Sequence, residues 1–289
     1  MQLVRFASEI GPRVGVVDGP AVYPLDPEAT LAGLLAQPVL ALREKLREEL
    51  RRQRGAAVSP SDITLLAPVD GRTEVWAAGV TYERSKEARI SESQHEADVY
   101  DRVYDADRPE LFFKSVGWRA IGPGGKVAIR ADSEVNVPEP ELAVVYNAHA
   151  EPVGYTVCND MSSRSIEGEN PLYLPQAKIY AGSCALGPGI RPAWEVPDPY
   201  ALTINCVITR DGAIAWEGSA STKSLHRGFD ELAGYLFREQ DFPDGVVLST
   251  GTSLVPDLPF TLLPGDVISV EISGVGRLVN TVVRGKDQL

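Results

Sequence analysis

The stretch that decides the fold is Pro138-Glu139-Pro140-Glu141-Leu142-Ala143-Val144-Val145-Tyr146, in which two glutamates precede an apolar run. A second apolar run, residues 153–159, follows a short polar segment and ends at Asp160. Two such runs joined by turn residues are typical of an antiparallel hairpin. Because successive side chains of a strand point to opposite faces, Glu139 and Glu141 share a face. The sequence therefore predicts a hairpin with acidic side chains at its open end.

These acidic side chains are a candidate metal site. Folding the hairpin brings Asp160 beside Glu139 and Glu141, although a one-residue slip in register would turn Asp160 to the other face. Carboxylates held this close repel each other unless a positive charge lies between them. A hard divalent cation such as Mg²⁺ is bound by oxygen ligands and keeps positions for water and substrate. The alternative is three solvated surface acids, and the spacing alone is compatible with both interpretations.

Longer motifs around the hairpin resemble a known family. The motifs are Glu139-Pro-Glu141-Leu-Ala-Val-Val, Gly154-Tyr-Thr-Val-Cys-Asn159-Asp160-Met-Ser-Ser-Arg164, Thr250-Gly251-Thr252 and the segment 263–280. In content and order they resemble the fumarylacetoacetate hydrolase family, over roughly residues 75–283. The resemblance implies a layered mixed β-roll for the catalytic part of the chain.

The resemblance also implies roles for individual residues. It implies a set of ligands for Mg²⁺, with Mn²⁺ as the alternative ion: Glu139, Glu141 and Asp160. It further implies that Lys178 is the active-site lysine and that Lys114 and Thr252 line the substrate pocket. The alternative for Lys178 is a surface lysine, but the apolar flanks in Gln-Ala-Lys-Ile-Tyr favour burial.

One motif departs from the family pattern. Hydrolases of the family carry Gly-x-Asn-Tyr-x-x-His-x-x-Glu on a mobile lid, and this His and Glu activate the hydrolytic water. The aligned segment, which starts at Gly79, has Ser85 at the His position and Ala88 at the Glu position. Neither side chain is a general base at neutral pH. The departure argues against C–C bond hydrolysis, and we predict Ser85 as a substrate contact instead.

Other segments are similar to one branch of the family, the 2-keto-3-deoxy-D-arabinonate dehydratases. They are the segments 82–85, 98–104, 108–114 and 165–180. This similarity implies conversion of a 2-keto-3-deoxypentonate to 2-oxoglutarate semialdehyde (2,5-dioxopentanoate) and water in oxidative pentose breakdown. Two alternatives stay open: a hydrolase of acylpyruvate or diketo-acid C–C bonds, and a non-catalytic binding protein with the same fold.

Dehydration of a 2-keto acid requires a Lewis acid and a proton carrier. The substrate can chelate a metal through its carboxylate and C2 carbonyl oxygens, and the metal then stabilises negative charge as C3 loses a proton. Loss of the C4 hydroxyl and proton movement from C5 complete the reaction. We predict Glu110 as the acid/base group and Lys178 as a positive charge or proton donor. The alternative for Glu110 is an exposed loop acid beside Pro109.

Composition narrows the choice of partners and compartment. The 289 residues carry a formal net charge of −12, which argues against nucleic acid and anionic membranes as partners. No apolar run approaches the length of a membrane span, and the first residues lack the apolar core of a signal peptide. Three widely spaced cysteines fit buried free thiols in a reducing compartment. We therefore expect a cytoplasmic enzyme, and the resemblance implies a homodimer or homotetramer.

The order of the patterns predicts a strand-rich α+β fold in two parts. Residues 1–70 are predicted to form a small N-terminal α/β domain with a helix over residues 41–53. Residues 71–289 are predicted to form the metal-binding catalytic domain. Within it, apolar periodicity predicts a long helix over residues 224–240, and the charged segment 82–107 is the expected place for a mobile lid.

Overall fold

The structure is a computed structural model and describes residues 1–52, 57–84 and 102–289. Strands make up most of its regular elements. In chain order they are β1 Gln2–Ser8, β2 Gly11–Asp18, β3 Ala21–Pro24, β4 Thr64–Leu66, β5 Glu74–Gly79, β6 Glu110–Val116, β7 Lys126–Ile129, β8 Asn136–Val137, β9 Pro140–Tyr146, β10 Pro152–Asp160, β11 Ser162–Ser163, β12 Cys184–Pro192, β13 Thr203–Arg210, β14 Ala213–Ser221, β15 Val246–Ser249, β16 Val267–Ile272 and β17 Gly276–Arg284. The α-helices are α1 Leu31–Leu35, α2 Val39–Arg52, α3 Arg164–Glu169, α4 Leu174–Lys178 and α5 Phe229–Leu236.

The strands form two large mixed sheets and one small one. The ten-stranded sheet has the order β3-β2-β1-β12-β10-β9-β15-β5-β6, with β4 paired to β1. The five-stranded sheet has the order β14-β13-β16-β17-β7, and β8 pairs with β11. The pairs β15–β5 and β17–β7 are parallel, whereas the other neighbouring strands in these sheets run antiparallel. The predicted strand-rich α+β fold is confirmed.

Strand β9 lies at the centre of the ten-stranded sheet and is buried on both faces. Leu142 and Val144 belong to an apolar cluster that includes the inner residues of the five-stranded sheet. Ala143 and Val145 belong to a second cluster, which includes Leu42 of α2. Because both faces of β9 are buried, its sequence is a continuous apolar run and does not alternate between apolar and polar residues. The same burial places the open end of the β9–β10 hairpin inside the protein.

The first 70 residues contribute to the same sheet as the rest of the chain. Strand β1 pairs with β12 at Leu3 and Ile190. Helix α2 covers the predicted helix over residues 41–53, apart from residue 53, which lies outside the described part, and it buries Leu42 and Leu46. The boundary at residue 70 stays a prediction. In the described ranges, no helix has both the length and the apolar character that a membrane crossing requires.

The prediction of a long helix over residues 224–240 is wrong in its extent. Helix α5 spans only Phe229–Leu236. Before it, Gly228 takes an extended N-cap conformation, and Leu225 forms an isolated bridge with Tyr82. After it, Phe237 leaves the helical region with φ −88° and ψ 0°. Leu225 keeps a helical spacing to Phe229, but its bridge with Tyr82 is a strand-like contact, so tertiary packing overrides periodicity there.

Candidate metal and active site

The register of the β9–β10 hairpin settles which way Asp160 faces. Cys158 pairs with Glu141 and Asn159 pairs with Pro140. The backbone N–H of Asp160 donates a hydrogen bond of 2.9 Å to the carbonyl of Glu139. Asp160 therefore stands opposite Glu139, and the side-chain alternation of the strands puts it on the face that carries Glu141.

The three predicted metal ligands form a compact carboxylate triad. One carboxylate oxygen from each of Glu139, Glu141 and Asp160 lies within 4.8 Å of the others. All three side chains are buried, with at most 4% of any residue exposed to solvent. The alternative of solvated surface acids is therefore wrong. Buried carboxylates require pairing or a metal ion, because removing an unpaired charge from water is costly.

The electrostatics of Glu141 fit a divalent cation. Burial raises the pKa of Glu141 well above its usual value, and the charges of Asp160 and Glu139 raise it further. Its Oε2 accepts hydrogen bonds from Ser249 Oγ at 2.6 Å and from the backbone N–H of Gly251 at 2.9 Å, which hold the carboxylate in place. Three oxygen donors that repel one another in a fixed arrangement are the donor set that Mg²⁺ prefers.

Two lysines lie against the triad. Lys178 Nζ donates hydrogen bonds to Glu139 Oε2 at 2.7 Å and to Ser162 Oγ at 2.6 Å, and it lies 3.4 Å from Asp160 Oδ2. Lys178 is fully buried, so the alternative of a surface lysine is wrong. Lys114 is also fully buried; its Nζ forms an ion pair with Asp160 Oδ1 and donates to the carbonyl of Met161 at 3.0 Å. A direct role of Lys114 in lining the substrate pocket stays a prediction.

Arg164 and Glu167 also belong to the site, and neither was predicted from the sequence as a site residue. Arg164 Nη2 lies 3.2 Å from Glu139 Oε1, and Arg164 Nη1 lies 3.2 Å from Glu167 Oε2. Both residues are on α3, whose N-cap Ser163 accepts a hydrogen bond from the backbone N–H of Ile166. The signal was the Arg-x-x-Glu spacing directly after the Asp160 motif, because residues i and i+3 of a helix are neighbours.

A small cavity of about 10 Å³ opens onto the triad. Lys178, Arg164, Phe112 and Thr252 are among its lining residues, together with the three carboxylates. Thr252 Oγ1 donates a hydrogen bond of 2.9 Å to the carbonyl of Pro140 and accepts one from the backbone N–H of Leu254. Thr252 thus lies where the resemblance places a pocket residue, and its contact with substrate stays a prediction.

Glu110 lies next to a residue that lines this cavity. It is the first residue of β6 and pairs with Gly79, which lines the cavity. A Cβ at residue 79 would lie 2.0 Å from Glu110 Oε2, so the carboxylate occupies space that only glycine leaves open. Glu110 is half-buried on a strand, and the alternative of an exposed loop acid is wrong.

Part of the predicted lid lies outside the described residues. Ser85 and Ala88, at the positions of the family's water-activating pair, fall in the undescribed segment 85–101. Just before it, Tyr82 is 1% exposed. Burial, and to a smaller extent the charge of Glu141, raise the pKa of Tyr82. Gly79 and Val80, which precede the predicted lid, line the cavity at the triad.

Comparison with known proteins identifies the family. The family model described as fumarylacetoacetate (FAA) hydrolase C-terminal matches residues 74–283. The chain belongs to the fumarylacetoacetate hydrolase family. The matched range contains the carboxylate triad, both lysines, Thr252 and Glu110, so every described candidate residue lies in the part of the chain that the family shares.

Two relatives within this family are similar over about three-quarters of the chain. A Haloferax volcanii protein named as a probable 2-keto-3-deoxyxylonate dehydratase is 50% identical over 215 residues, covering 74% of this chain and 73% of the relative. The 2-dehydro-3-deoxy-D-arabinonate dehydratase of Saccharolobus solfataricus is 43% identical over 225 residues, covering 77% of this chain and 75% of the relative.

A solved structure from the same family is similar over nearly the whole chain. It is a 2-keto-3-deoxy-D-arabinonate dehydratase complexed with magnesium and 2,5-dioxopentanoate, with a TM-score of 0.82 and 34% sequence identity. The similarity covers 98% of this chain and 99% of that chain. The layered fold of the fumarylacetoacetate hydrolase type, predicted from the motifs, is therefore confirmed.

Proposed function

We propose that this protein is a magnesium-dependent hydro-lyase that converts 2-keto-3-deoxy-D-arabinonate to 2,5-dioxopentanoate and water. The observation that carries the proposal is the buried carboxylate triad with its two lysines, in a chain 43% identical to a dehydratase of this substrate. A similar structure is complexed with magnesium and the proposed product. The proposed substrate is thus a small 2-keto-3-deoxy sugar acid.

The triad would supply the binding site for Mg²⁺, with Mn²⁺ as a possible substitute. A divalent ion held there would act as a Lewis acid on the C2 carbonyl of a 2-keto acid. Lys178 is buried against Glu139. It would either place a fixed positive charge near the substrate's carboxylate or donate a proton. We assign Lys114 and Thr252 to the substrate pocket by family resemblance, and Ser85, which departs from the family pattern, as a further substrate contact.

Glu110 is the proposed acid/base group. Its carboxylate lies against Gly79, a residue that lines the cavity, and there it would accept the proton from C3 and give a proton to the departing C4 hydroxyl. Water loss and the return of protons to C3 and C4 need no activated water. That requirement agrees with Ser85 and Ala88 in place of the family's His and Glu.

The reaction is tested with purified protein, Mg²⁺ and 2-keto-3-deoxy-D-arabinonate in D₂O. We expect a five-carbon product with an aldehyde group and deuterium at C3 and C4, detected by mass spectrometry and NMR. Chelation of the metal with EDTA should stop turnover, and added Mg²⁺ should restore it. Release of pyruvate or another shorter acid as the main product would instead identify a C–C bond hydrolase or lyase. Metal binding without turnover would identify a binding protein.

We further propose that the enzyme works in the cytoplasm as a homodimer or homotetramer. Closed symmetric assemblies are the commonest oligomers of soluble enzymes. Size-exclusion chromatography with multi-angle light scattering at micromolar concentration should give two or four times the mass of the chain. A single-chain mass under those conditions would contradict the expected assembly.

A further inference from the structure

Among the described residues, seven charged side chains are buried together at the candidate site, and three of them are the triad itself. The carboxylates outnumber the cations by one: Glu139, Glu141, Asp160 and Glu167 against Lys114, Arg164 and Lys178. Elsewhere in the described ranges, the buried charged residues are only Arg227 and Asp266. Three of the four carboxylates are the proposed metal ligands. Glu167 is the fourth, it is 2% exposed, and the function proposed above gives it no role.

Glu167 contacts the two cations that also contact the ligand Glu139. Its Oε2 lies 3.2 Å from Arg164 Nη1, and its Oε1 lies 3.9 Å from Lys178 Nζ. On their other side, Arg164 Nη2 lies 3.2 Å from Glu139 Oε1, and Lys178 Nζ lies 2.7 Å from Glu139 Oε2. Both cations are therefore shared between a metal ligand and Glu167.

The contacts of Arg164 and Lys178 with both Glu139 and Glu167 affect how tightly the triad can bind a metal ion. A cation paired with a ligand carboxylate competes with the metal for that carboxylate's oxygens. Because Arg164 and Lys178 have a second anionic partner in Glu167, Glu139 does not have to neutralise both of them. Without the charge of Glu167, both cations would depend more heavily on Glu139 and, for Lys178, on Asp160. In a buried site such interactions are screened much less than at the surface.

The charge balance leads to the same conclusion. With all seven of these side chains charged, the described cluster has one surplus negative charge, which attracts a divalent cation. Once a divalent ion is bound, the surplus becomes one positive charge, which suits the single carboxylate of a 2-keto acid. With a neutral residue at 167, the metal-free cluster would carry no surplus charge, and attraction for the ion would fall.

We propose that Glu167 is a positioning residue that holds Arg164 and Lys178 partly away from the metal ligands and so keeps Glu139 available to Mg²⁺. This inference rests on the metal-dependent function proposed above. It assigns Glu167 an effect on metal affinity that is separate from any contact with the substrate. The negative charge of the side chain, more than its volume, carries the effect.

The test is the affinity of three variants for Mg²⁺ and Mn²⁺, measured by isothermal titration calorimetry without substrate. Glu167→Gln keeps the size of the side chain and removes its charge, and we expect metal affinity to fall about tenfold. Glu167→Asp keeps the charge and should stay within about threefold of the wild type. Glu169→Gln makes the same charge change on an exposed residue of the same helix and should bind metal like the wild type. Circular dichroism melting confirms that each variant is folded.

The outcomes separate this inference from the proposed function. If the wild-type protein binds neither ion, the metal-dependent function itself fails. If the wild type binds and folded Glu167→Gln binds equally well, Glu167 has no positioning role and the inference is overturned. Equal weakening in folded Glu167→Gln and Glu167→Asp would show that a negative charge at residue 167 does not sustain metal affinity, which also overturns the inference. Equal weakening in Glu169→Gln would show a general effect of protein charge and would overturn it as well.

Discussion

Glu141→Ala is expected to abolish magnesium binding and dehydration while the protein stays folded. Glu141 supplies one of the three carboxylate oxygens of the triad, and the hydrogen bonds from Ser249 and Gly251 fix its position. Removing a ligand from a three-carboxylate site leaves too few oxygen donors for a hard divalent ion. We expect kcat/KM to fall about 10³-fold or more, equivalent to about 4 kcal/mol of lost transition-state stabilisation.

The fold should tolerate this change because the charged form of Glu141 is unfavourable in the metal-free protein. Burial and neighbouring carboxylates disfavour its charge, so its removal relieves repulsion. Glu141→Gln is the matched variant, since an amide oxygen can still accept the hydrogen bonds from Ser249 and Gly251. Thermal melting and Mg²⁺ calorimetry should show folded variants that no longer bind metal.

The control for this prediction is Glu271→Ala, which removes an exposed glutamate on β16. It should keep wild-type metal affinity and turnover. Full turnover by Glu141→Ala, or by wild-type protein freed of divalent ions, would show that the triad is not the catalytic metal site.

Glu110→Gln is expected to lower kcat about 10²-fold or more with little change in KM. The substitution keeps the size of the side chain over Gly79 but removes its ability to carry a proton. General acid–base catalysis by one positioned group contributes on the order of 10²-fold to 10⁴-fold in rate. Steady-state kinetics with saturating Mg²⁺ measures the effect, and Glu271→Gln, at an exposed glutamate on β16, is the control.

A second variant tests the position of the Glu110 carboxylate. Gly79→Ala places a methyl group where Glu110 Oε2 lies, so the carboxylate must move. We expect a loss of kcat in Gly79→Ala and no further loss in the double variant with Glu110→Gln, because both changes remove the same contribution. Wild-type kcat in folded Glu110→Gln would assign the proton transfers to another group.

The local sequence predicted the hairpin and placed two of the proposed metal ligands on it. Glu139 and Glu141 are two residues apart at the start of a strand, and strand geometry alone puts them on one face. The apolar run after them predicted a strand, and the structure has β9 there. The family motifs then linked these residues to Asp160 and Lys178, and the match over residues 74–283 confirms the family.

The sequence also left several features open. Alternation along one strand does not set the register between two strands, so the face of Asp160 depended on the pairing of Cys158 with Glu141. The helix predicted over residues 224–240 failed because side-chain periodicity does not report where the backbone leaves the helix. The helix that forms is α5, and it begins only at Phe229. Residues 225–228 before it are not helical, and Leu225 among them forms a bridge with Tyr82.

Only the tertiary structure decided which charges surround the metal ligands. Lys114 comes from β6 and Lys178 from α4, and both reach the end of a hairpin that is distant from them in the chain. Glu167 gains its importance from contacts with Arg164 and Lys178 in a buried space. The strength of such interactions depends on distance and burial. Both are properties of the packed chain, whereas residue type and strand alternation are properties of the local sequence.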